Sequence, residues 1–103
     1  VAWWNAGGKL MNCDVKRVED SPFSGAQHGV GIYASSNVGG PYSLEVGSCS
    51  VTDFQKNGTV FSSSAMTVDV HDCTIAGKGA TGVTAQNGIQ ISSGAGGTIT
   101  NSL

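Results

Sequence analysis

The sequence predicts an all-β fold, a parallel β-helix (solenoid) of about three coils plus the start of a fourth. Three observations predict it. The first is a six-residue motif met at Leu10-Met11-Asn12-Cys13-Asp14-Val15, Val46-Gly47-Ser48-Cys49-Ser50-Val51 and Val70-His71-Asp72-Cys73-Thr74-Ile75. Each copy reads aliphatic, variable, small polar, Cys, polar, aliphatic, and a fourth begins at Ile99-Thr100-Asn101-Ser102 with serine in the cysteine's place. The second is a glycine column in His28-Gly29-Val30-Gly31-Ile32, Asn57-Gly58-Thr59-Val60-Phe61 and Asn87-Gly88-Ile89-Gln90-Ile91. The third is what is missing: no stretch carries the i, i+3, i+4, i+7 apolar pattern of a helix longer than about a turn.

Taken in chain order, each unit offers three short strands. In the third unit they run through Val68 and Val70, then Cys73 and Ile75 beyond a bend at Asp72, then Ile89 and Ile91 beyond the Asn87-Gly88 turn. Alternation at period 2 is the strand signature, and it puts every second aliphatic on one side. Stacking coils at strand spacing, about 4.8 Å, would then set Val46, Val70 and Ile99 in one internal column and Val30, Thr59 and Ile89 in another. Gly29, Gly58 and Gly88 are expected at turns, where glycine takes positive φ at little cost. Insertions between motifs fall in loops, which explains their uneven spacing. A β-sandwich shares the short strands and glycine-rich turns, but does not predict one motif recurring at coil spacing.

Composition narrows the function classes. Only 12% of the residues are charged and the formal net charge is −2, so no basic stripe exists to neutralise phosphates and nucleic acid is excluded as a partner. No apolar run approaches the roughly 18 residues of a spanning helix, so no membrane insertion is expected. The 103 residues suit a single domain, and a chain that begins without Met and stops in mid-motif reads as an excerpt of a longer one. The three cysteines Cys13, Cys49 and Cys73 share one repeat position. Stacked Cβ atoms at strand spacing lie farther apart than the roughly 3.8 Å a disulfide prefers, so buried, reduced thiols are expected.

The run from Val68 to Leu103, with Asp72-Cys73-Thr74-Ile75, Gln86-Asn87-Gly88-Ile89-Gln90-Ile91 and Gly97-Thr98-Ile99-Thr100-Asn101, resembles right-handed parallel β-helix repeat proteins of the pectate-lyase-like superfamily. The resemblance implies a right-handed parallel β-helix, and a setting that is extracellular or at a cell or virion surface. It implies no single activity, because that superfamily includes polysaccharide lyases and hydrolases, epimerases, tailspikes and adhesins.

Candidate chemistry follows from the columns. One residue before the inward aliphatic come Lys9, Glu45, Asp69 and Thr98; one residue after it come Met11, Gly47, His71 and Thr100. Glu45, Asp69, His71 and Lys9 therefore share one patch, the candidate catalytic group. Glu45 and Asp69 are the candidate calcium ligands, and no other cofactor is expected. The bland alternative is a surface charge ladder of little energetic worth. Asp14, Lys16, Arg17, Glu19 and Asp20 read as a solvated bend. The hydrolase branch's Asn-Thr-Asp and Gly-His-Gly motifs are only echoed, in Val51-Thr52-Asp53 and Gln27-His28-Gly29, and no adjacent Asp pair occurs. Asn57-Gly58-Thr59 matches a glycosylation sequon, but a bend explains its Asn-Gly without a sugar.

The leading expectation is a structural or adhesive segment of a secreted or surface β-helix protein, binding a polysaccharide or cell-surface glycan through Tyr33 and Tyr42. The alternatives are a polysaccharide lyase or glycoside hydrolase acting at the acid patch, and a filament subunit that self-associates end to end.

Overall fold

A computed structural model describes residues 1–79 and 81–103. Its strands are β1 (Ala2–Trp4), β2 (Gly8–Met11), β3 (Asp14–Val15), β4 (Val30–Ser35), β5 (Tyr42–Gly47), β6 (Ser50–Thr52), β7 (Asn57–Ser62), β8 (Met66–His71), β9 (Thr74–Ala76), β10 (Asn87–Ser92) and β11 (Gly96–Thr100). Among the described residues there is no helix, and so none long and apolar enough to cross a membrane. The all-β expectation is met.

Every strand pairing is parallel, in three sheets ordered β1-β4-β7-β10, β2-β5-β8-β11 and β3-β6-β9. Parallel neighbours need a long crossover, usually a helix. Here the crossover is the other two sheets: the chain visits them in rotation, and each sheet takes every third strand. The inward apolar side chains meet in the middle, where Leu44, Val46, Val51, Phe61, Val68 and Val70 are almost wholly buried. Each such side chain contributes roughly 1.5–3 kcal/mol.

The first expected column is present. Leu10 pairs with Val46, Val46 with Val70, and Val70 with Ile99. The motif's small polar residue makes the bend that follows. Asn12, Ser48, Asp72 and Asn101 all adopt left-handed backbone, with φ of 56°, 52°, 53° and 47°, a region that short polar side chains tolerate best after glycine. The thiol then turns back: Sγ of Cys13, Cys49 and Cys73 each donates to the carbonyl two residues earlier, at 3.2 Å. Ser102 donates to the Thr100 carbonyl in the same way at 2.9 Å, so the column asks for a small donor and serine satisfies it. All three cysteines are free thiols, Cys49 and Cys73 buried and Cys13 half-buried.

The second expected column slips by two residues. Thr59 stacks on Ile32 and Ile89, whereas Val30 pairs with Asn57. An even slip leaves every side chain on its original face, so alternation alone could not reveal it. The glycines shift with it. Gly29 does take positive φ, 90°, ahead of the strand. Gly58 and Gly88 lie inside β7 and β10, not at turns and without positive φ, in line with Gly31. Two of the three are needed for space: a Cβ on Gly31 would fall 2.6 Å from Val51 Cγ1, and one on Gly58 would strike Ile75 and the Gly88 carbonyl, whereas one on Gly88 would meet Ile75 at an ordinary 3.8 Å. Asn57, the sequon residue, is only 7% exposed and accepts a hydrogen bond from Asn87 Nδ2 at 2.9 Å, so it offers no site for a glycan.

Candidate functional site

Register carries the acid patch together. On β2, β5, β8 and β11, Lys9 pairs with Glu45, Glu45 with Asp69, and Asp69 with Thr98. One step along, Met11 pairs with Gly47, Gly47 with His71, and His71 with Thr100. Residues of odd and even position face opposite sides of a strand, so both columns flank the buried Leu10–Val46–Val70–Ile99 column and point outward.

Side-chain geometry tightens the patch. His71 Nε2 lies 2.9 Å from Glu45 Oε1, and its Nδ1 lies 2.8 Å from Asp72 Oδ2. Lys9 Nζ approaches the other Glu45 oxygen at 3.1 Å, and the Thr98 hydroxyl donates to Asp69 at 3.1 Å. Single donor atoms of Glu45, Asp69 and His71 all lie within 4.8 Å of one another. The hydrogen bond from His71, then that from Lys9, hold the Glu45 carboxyl below its ordinary range. Asp72 first, and then Glu45, raise the His71 imidazole above its ordinary value.

Alongside the patch runs a shallow groove of about 550 Å³ on the outer face of the same sheet. Lys9, Glu45, Asp69 and Thr98 form one rim, and Ser43 and Thr67 lie two residues nearer the strand starts. Leu44 and Val68 also border it, but their side chains are buried, so backbone makes the floor there.

The two tyrosines do not join this groove. Tyr33 lies on β4, in the β1-β4-β7-β10 sheet, and is 36% exposed. Tyr42 lies on β5, and its hydroxyl donates to the Val38 carbonyl at 2.7 Å.

The charged bend differs from its expectation. Asp14 and Lys16 form an exposed ion pair at 3.0 Å, as a solvated bend would, but Glu19 pairs with Lys78 at 2.9 Å and Asp20 is built in. Asp20 accepts from the Ser24 hydroxyl, lies 2.8 Å from His28 Nε2, and accepts from Gln55 Nε2 at 3.2 Å. Gln55 is 0% exposed, and also receives the Asp20 amide at 2.8 Å and donates to the Ala26 carbonyl at 2.9 Å. These bonds, Ser24 foremost, hold the Asp20 carboxyl down to about 2. Gln55 escaped the sequence reading because it lies outside every strand and nothing in its neighbours marks it as buried. Asp72 was recognised as a bend and not as the partner of His71.

Compared with protein-family models, with curated proteins and with solved structures, the chain gives no match in any of the three.

Proposed function

We propose that the chain is a segment of a right-handed parallel β-helix at the outside of a cell or virion, and that it binds a glycan on the outer face of the β2-β5-β8-β11 sheet. The rotation of the chain through three parallel sheets supports the β-helix, in which each rotation is one coil. One observation carries the binding role: the groove beside the Lys9–Glu45–Asp69–Thr98 column, which sets hydroxyl, ammonium and carboxylate groups along a backbone floor. A sugar offers hydroxyls that both donate and accept, and apolar ring faces that lie flat on such a floor. The groove takes the place of Tyr33 and Tyr42 as the binding surface.

Binding is a better reading than cleavage because the acids sit in a paired charge column: Glu45 bonds Lys9 and His71, and Asp69 accepts from Thr98. Titration of the labelled chain with neutral and acidic oligosaccharides, followed by amide chemical shifts, tests the proposal. Saturable shifts at Ser43, Thr67 and Thr98 with the sugar left intact are expected. Shortening of the oligosaccharide would instead establish the lyase or hydrolase alternative, and the absence of saturable shifts would refute a glycan site.

A further inference from the structure

We propose that Glu45, Asp69 and His71 form a site for a divalent transition metal of the zinc class, with one carboxylate oxygen from each acid and Nε2 of the histidine as ligands. The site stands whether or not a glycan occupies the groove. The donor set comes first. Three donor atoms lie within 4.8 Å of one another on the sheet surface, wider than a formed site and close enough for side-chain rotation to gather them. Glu45 and Asp69 reach it from adjacent strands in register, and bonds of about 2.0–2.2 Å need only small side-chain rotations from there. Three protein ligands leave a fourth position to water.

The histidine is aimed. Its Nδ1 is turned to Asp72 at 2.8 Å, which leaves Nε2 to face the two acids. A carboxylate behind the ring is how metal-binding histidines are usually fixed in tautomer and orientation. The ring also has a place made for it. Gly47 is its register partner on β5, where a Cβ would fall 2.5 Å from His71 Cε1 and 2.7 Å from Nε2. Only glycine lets the imidazole lie over that strand with its nitrogen toward Glu45.

The same donor set selects the cation. Calcium and magnesium take six or more oxygen ligands, whereas imidazole suits zinc, nickel and copper. The cation replaces the hydrogen bond between His71 Nε2 and Glu45 Oε1, while Lys9, on the other Glu45 oxygen and with its side chain 72% exposed, can stay or swing into water. Metal uptake takes the Nε2 lone pair, and the proton held there passes to the solvent.

Calorimetric titration of the tag-free chain with zinc chloride at slightly alkaline pH tests the site. One equivalent should bind, with proton release, and a large excess of calcium should not displace it. His71→Gln and Asp69→Asn should each weaken binding at least about tenfold, while His28→Gln leaves it unchanged. Nitrogen shifts of the unmodified chain give a readout independent of variant folding: zinc should move the His71 ring signals and spare those of His28. No saturable binding, equal affinity in His71→Gln, displacement by calcium, or shifts centred on His28 or the cysteines would each overturn the proposal.

Discussion

Each of the two histidines, His28 and His71, meets a carboxylate that is not its chain neighbour at nearly the same separation, and the two pairs are built in opposite ways. His71 and Glu45, 2.9 Å apart, stand on neighbouring strands whose register is set by the buried column beneath them. His28 and Asp20, 2.8 Å apart, stand in a long connection that no strand supports. What holds the second pair is a few bonds centred on one buried amide: Gln55 binds the Asp20 backbone, the Asp20 carboxylate and the Ala26 carbonyl, and the Ser24 hydroxyl donates to the same carboxylate. A repeat places side chains by arithmetic, whereas a loop places them by a few specific bonds. The first kind of site should fail only with the sheet, and the second with a single side chain.

The largest expected effect attacks the scaffold under the first pair. Val70→Asp would leave a charge in the column at a position that is 0% exposed. It should cost roughly 4 kcal/mol or more, read as a fall in melting temperature with loss of the strand signal. Gln55→Leu should cost about 1–3 kcal/mol by leaving backbone groups of the connection unpaired. It should raise amide exchange across residues 19–28 and leave β5 and β8 protected. Equal loosening of both regions would break the contrast.

Acid sharpens the same contrast without mutation. The folded Asp20 carboxyl lies at about 2 against an ordinary 3.8, so its contribution is fully present above the ordinary value and lost as pH falls through the folded one. Between about pH 4 and 2 the 19–28 connection should release, which the Gln55 side-chain amide signals would report. A carboxyl midpoint at the ordinary value would contradict the bonding described. Smallest of all, Thr74→Ser on the exposed side of β9 should cost roughly 0.5 kcal/mol or less in a denaturant titration.

This difference also explains what could be read in the sequence. Glu45, Asp69, His71 and Lys9 were legible because one recurring motif fixed their register, and the alternation fixed their face. Ile32 against Thr59 was not, because a two-residue slip preserves the face and the misleading His28-Gly29 imitates the Asn-Gly of the later strands. Gly58 and Gly88 advertise turns, yet both lie inside strands, and what Gly58 provides is room beside Ile75, a long-range contact that no local pattern encodes. The shared repeat position of the cysteines was legible, but the column's demand for a small donor appears only with the carbonyl bonds that Ser102 reproduces. Asp20 and Gln55 are 35 residues apart and belong to no repeat position, so nothing local joins them.

Successive units stack in parallel and in this register, and interstrand nuclear Overhauser contacts read that stacking residue by residue. Backbone contacts should join Val46 to Val70, Val70 to Ile99, and Thr59 to both Ile32 and Ile89. Contacts joining Val30 to Thr59, or the close Hα–Hα contacts of antiparallel pairing between β5 and β8, would contradict it.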